Sequence, residues 1–583
     1  MEYKSLLASR FTIPAQAGAS KLMTAEEAVQ RFVEPGASLH FMAGHGRGFQ
    51  LMNAVARVFR GRKPDFTMLQ ASVSDTAIAS LDAGLYRKLV TTFVGDTYPV
   101  PGPNPIAREA IKKHSIEIEH WSLLSYSQRL WAGAQGLSHT VTRSIAGSSM
   151  EKNTGVRVIE DPDRPGEKIT LIPALVPEIS FVQAIAADAA GNVILSFPLG
   201  EGPWGAQAAS KGVIVGAEKI VPTEEIRRYS DHVFIPAHKV LAVVDFPLGC
   251  HPKGMPSHGY PGGRGYADDY PFLEETRLAA RKGRDVYDEW IEKWVYGIKS
   301  PADYQEKLGR ERIDYIYTNT RPDSWKPEID ARLPELKAPS EGITPAEKGI
   351  VFGARIMRDL IRTEGYQSIL AGVGPSNLAA WLAEYFIRQD GGAVSLMAEL
   401  GYFGFTPRPA DPFLFNFRNA PTCTLTGGIL DILGTMVSGR GSKCLGALAA
   451  AQIDPAGNLN STRLADGAVL TGSGGANDVA SGAEATVVVT VLAKNRFVKE
   501  LPYVTSPGRR VEYVATDKAV LKKLDGELAL WGVARGADIA ADIEPSFGWT
   551  LKRHPELREL EPATTEEIAL LRLFDPRGLF REK

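Results

Sequence analysis

The sequence predicts an α/β protein in which two related open α/β domains share one chain. Three observations predict it. The chain has 583 residues, more than one ordinary hydrophobic core accommodates. A helix, strand, glycine-turn, helix pattern occurs twice, and a polar, proline-containing stretch separates the copies. A parallel sheet requires crossover helices of this kind.

The first copy opens at Thr24-Ala-Glu-Glu27 and the second at Thr344-Pro-Ala-Glu347. Each has the form of a capping box: the Thr hydroxyl accepts from a first-turn amide while the Glu reaches back to the Thr amide. Pro345 suits the first helical position. Each helix leads to an apolar run that closes in Ala-Gly-x-Gly, LHFMAGHG at Gly46 and SILAGVG at Gly374. Apolar residues then recur at helical spacing through 51–59 and 378–386. Further on, Asp188-Ala-Ala-Gly-Asn192 and Asp454-Pro-Ala-Gly-Asn458 each follow a strand-like run. Their shared order with the capping boxes and glycine turns gives these short matches their weight. Residues 250–340 include helix-like patches, FLEETRLAARK and DVYDEWIEKWV. The stretch RPDSWKPEIDARLPELKAPSEG has the composition of a linker. The expected division is a first domain over 1–320, a linker over 321–343 and a second domain over 344–583.

Composition narrows the function. Lys plus Arg number 66 against 68 Asp plus Glu, so no net basic field draws in nucleic acid or an anionic membrane. The opening MEYKSLLASRFTIP lacks the apolar core of a signal peptide, and runs such as 485–493 fall short of the ~20 residues a spanning helix needs. A cytoplasmic protein acting on small molecules is expected. Cys250, Cys423 and Cys444 are too scattered for a disulfide framework and read as buried thiols. His251 and His258, in CHPKGMPSHG, have no acidic ligand pair nearby, so no metal site is expected.

The chemistry concentrates in the second half. Met397-Ala-Glu399-Leu-Gly401 follows a strand-like run, and AAQIDPAGNLNST (450–462), GSGGAND (472–478) and YVTSPG (503–508) come after it. In this order the motifs resemble the small subunit of glutaconate CoA transferase, a class I coenzyme A transferase, and the glycine turn, ADAAGN and AASKGVIVGAEKIV of the first half resemble its larger companion. One carboxylate after a strand would not by itself point to this chemistry. The resemblance implies a fusion of two subunits with the active site at their interface. It further implies that Glu399 is the nucleophile and that an acyl-CoA and a small carboxylic acid, such as a dicarboxylate like glutaconate or a 3-oxoacid, are the substrates, with no tightly bound cofactor. A homo-oligomer is expected.

The reaction so implied moves CoA between two acids of similar energy, so its covalent carrier should be a carboxylate like both. Attack of Glu399 on the donor thioester would give a mixed anhydride, then a glutamyl-CoA thioester that an incoming carboxylate discharges, with ping-pong kinetics. Negative charge appears on a carbonyl oxygen at each step, and backbone amides of a glycine loop can meet it without side chains in the way. Gly474, Gly475 and Ala476 are the candidates. Gly401 would let the chain turn sharply beside the nucleophile, and Gly372 and Gly374 could do so at a neighbouring strand end. Gln452 is a candidate for the CoA thiol arm, whereas the Asp454–Asn458 turn satisfies its own requirements. Arg408 could pair with a second substrate carboxylate. From the first half, the turn holding Gly44, His45, Gly46 and Arg47, together with PGPNP (101–105), would shape the acyl pocket; solvated loop positions are the plainer account of His45 and Arg47.

Two other functions fit parts of the pattern. A thioester hydrolase on the same scaffold could use Glu399 as a general base, and a ligand-sensing protein could keep the fold without catalysis. A dinucleotide site at Gly44-His-Gly46-Arg-Gly48 is disfavoured, because Phe49 stands where the third small residue belongs.

Overall fold

The computed structural model describes residues 2–257 and 259–582, so His258 lies outside the described residues. A seven-stranded sheet occupies the first half: β1 (Ser38–Phe41), β2 (Phe66–Leu69), β3 (Tyr86–Thr91), β4 (Glu117–His120), β5 (Ile179–Ala184), β6 (Gly212–Ala217) and β7 (Val240–Asp245). Its order is β7-β6-β5-β1-β2-β3-β4, with every neighbouring pair parallel. The second sheet has ten strands: β8 (Ser368–Ala371), β9 (Ser395–Ala398), β10 (Tyr402–Phe405), β11 (Leu425–Thr426), β12 (Cys444–Leu448), β13 (Ala485–Val489), β14 (Val511–Ala515), β15 (Ala519–Leu524), β16 (Glu527–Ala534) and β17 (Arg553–Leu560). They run β11-β10-β9-β8-β12-β13-β14-β15-β16-β17. Strands β9, β8, β12, β13 and β14 form a parallel centre, and the flanking pairs β9-β10 and β14-β15 are antiparallel.

The halves repeat each other about β1 and β8. Each of these central strands follows a capped helix, α1 (Ala25–Phe32) or α5 (Pro345–Glu364), and precedes a glycine turn and a second helix, α2 (Phe49–Val58) or α6 (Pro375–Gln389). Both capping boxes form, and α5 stops at Gly365 in the left-handed conformation that glycine adopts freely. The strands ISFVQA, GVIVGA and ATVVV are buried along their whole length, as expected for parallel strands covered by helices on both faces. Trp381 of α6 is fully buried in the second core. Truncating such a side chain to Ala costs about 3–5 kcal/mol through lost transfer energy and the cavity left behind.

The paired Asp-x-Ala-Gly-Asn turns share one hydrogen-bond pattern. In each, the Asp carboxylate accepts from the Asn amide and side chain, and the Gly amide donates to the Asp carbonyl. Both close short antiparallel hairpins, so they are structural. Tyr270–Lys282 and Arg284–Ile291 are the expected helices of the excursion. The stretch expected as a linker holds a helix, Trp325–Arg332, whose Glu328 pairs with Arg418 at 2.6 Å; composition did not disclose it. Cys250 and Cys444 are buried, but Cys423 is only half-buried. No helix among the described residues is long and apolar enough to cross a membrane.

Candidate active site

Ligands of open α/β sheets bind beyond the carboxyl ends of the strands, and here the carboxyl ends of both sheets face one cavity. Its volume is about 150 Å³. From the first half come Ala43, Gly44, His45 and Arg47 after β1, Ala71 and Ser72 after β2, and Thr92 and Phe93 after β3. Val373 after β8, Glu399 and Leu400 after β9, and Gly474 are among those from the second half.

Glu399 is the first residue beyond β9, and the chain reverses there into the antiparallel β10. The reversal depends on Gly401. Its φ is +134°, and a Cβ there would lie 2.3 Å from the Gly427 carbonyl oxygen and 2.7 Å from Pro198 Cβ. Burial pushes the Glu399 carboxyl up to about 7; Asp478 adds to the rise, while the neighbouring Gly475 amide opposes it. A Cβ on Gly475 would sit 2.1 Å from Glu399 Oε2, so a side chain there would displace the carboxylate.

The Gly472–Asp478 loop mainly joins the halves. The Gly474 amide donates to the Thr92 carbonyl at 3.1 Å, and its carbonyl accepts from Leu123 N–H at 2.9 Å. Asn477 Oδ1 accepts from the Ile145 amide, and Asp478 Oδ2 from the Leu124 amide near the start of helix α3 (Leu123–Ala134). Burial pushes Asp478 up to about 6. Two assignments made from the sequence therefore change. The amides of Gly474 and Ala476 are committed to the carbonyls of Thr92 and Ser473, so neither is free to meet an oxyanion. Gly475, whose amide lies beside the carboxylate, remains a candidate.

Other expected residues divide in the same way. Gly44, His45 and Arg47 line the cavity, and Gly46 packs behind it, its Cβ position 2.4 Å from Met42 Sδ. His45 is buried, with Nε2 3.3 Å from the Tyr402 hydroxyl across the junction of the halves. Burial foremost, with help from Lys253 and Arg47, holds its imidazole down to about 4, so the ring is neutral at pH 7. Arg47 donates to Ser74 Oγ at 2.9 Å and lies 3.9 Å from Asp75, while its buried Nε has no partner among the described residues. The plainer reading of His45 and Arg47 as solvated positions does not hold.

Gly374 lines an adjoining groove of about 390 Å³, which shares Pro101 and Val373 with the cavity. The Gly372 amide is taken by the Ala447 carbonyl at 2.8 Å. Gln452 does not face either space. Its Oε1 accepts from Asn460 Nδ2 within the hairpin at 2.9 Å. Arg408 lies outside the cavity wall, on a loop whose backbone is tied to Asn419; closeness to Glu399 in sequence did not carry it there, because β10 leads the chain away.

Sequence reasoning passed over Lys253 and Asp268. Lys253 Nζ donates to Thr97 Oγ1 at 3.1 Å, approaches Asp75 at 3.7 Å, and stands over the Phe413 ring. Asp268 accepts from the Gly254 amide at 2.6 Å, and burial raises its carboxyl. Lys253 belongs to CHPKG, a motif weighed only for metal. His251 of that motif is buried between the Tyr304 hydroxyl and Asp269. Among the described residues no cluster of His, Cys, Asp and Glu could hold a metal ion.

The chain is similar to several known proteins. A family model described as coenzyme A transferase matches residues 22–245. One of the two subunits of the 3-oxoadipate CoA-transferase of Pseudomonas knackmussii is 29% identical over 296 residues, 50% of this chain and 98% of its own length. The other is 26% identical over 227 residues, 35% of this chain and 85% of its own length. An uncharacterised protein of Archaeoglobus fulgidus is 31% identical over 293 residues, and the match spans 63% of its length. The crystal structure of an acyl-CoA transferase from Escherichia coli O157:H7, a thioester complex with CoA, superposes with a TM-score of 0.64 at 16% identity, covering 97% of this chain and 99% of that one. Both halves of the fold thus have counterparts in one solved chain.

Proposed function

Because the chain belongs to the coenzyme A transferase family, with both subunit-like parts fused, we propose that it transfers CoA from an acyl-CoA to a free carboxylate through a glutamyl-CoA thioester on Glu399. The proposed division is residues 1–320, a connecting stretch over 321–343, and 344–583. The observation that carries the reading is the Glu399 carboxylate on the cavity wall between the halves, backed by Gly475, where a side chain would push it aside.

In this reading a Glu399 oxygen attacks the thioester carbonyl, and the C–S bond breaks to give an anhydride and CoA thiolate. The thiolate then attacks the Glu399 carbonyl carbon and expels the donor acid. At that step negative charge develops on a Glu399 oxygen, which the neighbouring Gly475 N–H would meet; such a donor lowers a barrier by about 3–4 kcal/mol. The acceptor carboxylate repeats the steps in reverse order, regenerating Glu399. The groove beside Pro101 and Val373 would take the CoA arm.

The acyl group would carry a second carboxylate, as 3-oxoadipate or glutaconate does. Arg47 and Lys253 share one carboxylate partner, Asp75, and the unpartnered Arg47 Nε gives a further anion a donor. The test is chromatography of CoA species after incubation with an acyl-CoA panel, with and without mono- and dicarboxylates. New acyl-CoA that requires an acceptor, with dicarboxylates preferred, supports the reading. Free CoA released at the same rate regardless of acceptor makes the protein a hydrolase, with Glu399 as its general base.

A further inference from the structure

The segment Pro198–Gly202 of the first half lies between the nucleophile turn and the β1 turn, and touches both. The Gly200 amide donates to the Leu400 carbonyl at 3.3 Å, and the Leu199 amide to the Gly427 carbonyl at 2.8 Å. In return the Ile429 amide donates to the Gly200 carbonyl at 3.0 Å, and the Gly427 amide to the Gly401 carbonyl at 2.8 Å. On the other side a Cβ on Gly200, whose φ is +57°, would lie 3.1 Å from the Ala43 carbonyl oxygen. Next along the chain, at the start of helix α4 (Gly202–Ala208), stands Glu201, fully buried. Its Oε1 accepts from the Ala43 amide at 2.7 Å and lies 3.7 Å from His40 Nε2, while Oε2 has no partner among the described residues. His40 is itself fixed by Ser180 Oγ at 2.7 Å.

A buried carboxylate is costly unless it is well bonded, and a single amide and one imidazole at 3.7 Å leave this one half satisfied. Its position explains what it does. Residue 200 is bonded to the turn that bears Glu399, and residue 201 to the turn that opens the opposite wall of the cavity. We propose that Glu201 is a positioning residue: through Ala43 it sets the distance between the Gly44–Arg47 wall and the Glu399 turn, and so the approach of the substrate carbonyl to the nucleophile. The inference rests on the CoA-transfer reading above. It goes beyond that reading by making the first half responsible for the alignment of a nucleophile it does not contain.

The bond to Ala43 needs only an acceptor oxygen, so Glu201→Gln keeps it and Glu201→Ala removes it. The experiment compares kcat, KM for acyl-CoA and the rate of CoA-adduct formation at Glu399 in the wild type and both variants, with circular dichroism of each. Glu201→Ala is expected to lower kcat and adduct formation by about 10²-fold, the cost of an ångström of misplacement, with KM within about threefold of wild type. Glu201→Gln should restore most of the rate. A folded Glu201→Ala with wild-type adduct formation overturns the proposal, as does Gln failing equally. Should the Ala variant not fold, Gly200→Ala, which pushes against Ala43 while Glu201 stays, must show the same kcat-selective loss, and its absence also overturns the proposal. A wild type that forms no adduct at all would instead sink the CoA-transfer reading.

Discussion

Strands β2 and β9 hold equivalent places, each beside the central strand of its sheet and each running parallel to it. They end in different chemistry. Beyond β2 the first residue is Gln70, fully buried, its amide donating to the Val90 carbonyl at 3.1 Å. Beyond β9 the first residue is Glu399, on the cavity wall. The cause is the next step of the chain. After β2 the backbone runs forward through Ala71 and Ser72, which line the cavity in place of Gln70. After β9 it folds back through Gly401 into β10, so the first side chain is left at the rim. An equivalent strand end becomes a wall in one half and carries the proposed nucleophile in the other, and the tight reversal decides which.

The comparison is broken most severely at the carboxylate. Glu399→Ala should cut transfer by about 10⁴-fold or more, as loss of a covalent nucleophile does, whereas Gln70→Ala should preserve ping-pong kinetics; steady-state rates with both substrates varied check this. Next in size is Gly475→Ala. A methyl group 2.1 Å from Glu399 Oε2 displaces both the carboxylate and its donor, and a loss of about 10²–10³-fold in kcat is expected.

These expectations separate what the sequence discloses from what it does not. Both capping boxes, both glycine turns and the paired Asp-x-Ala-Gly-Asn hairpins are legible because each is satisfied by residues within a few positions of one another. The place of Glu399 after a strand is legible for the same reason, though its role needed the surrounding motifs. Lys253 is not legible, because its partners Thr97 and Asp75 come from other loops of the first half. Nor is the commitment of the Gly474 amide, which depends on Thr92 in the opposite half. Arg408 misled because proximity along the chain says little once a strand intervenes.

Smaller effects are expected from pH. An Asp or Glu nucleophile must be ionised, so the rate of adduct formation in the free enzyme should rise with pH through about 7. Stability should move the other way. With its folded value at about 7 against an ordinary 4.5, Glu399 binds a proton more tightly when folded, so its contribution is retained below pH 4.5 and lost as pH rises through 7. Glu399→Gln removes that penalty, and denaturant unfolding should find the variant stabilised at about pH 8 by at most about 3 kcal/mol and unchanged at about pH 4.

The central claim is the covalent use of Glu399, and mass spectrometry of the peptide bearing it, after the protein meets acyl-CoA without an acceptor, tests it most directly. CoA joined to Glu399, and released when a carboxylic acid is added, is the expected result. Rapid transfer with Glu399 unmodified throughout, or an adduct on another residue that discharges at the catalytic rate, would contradict it.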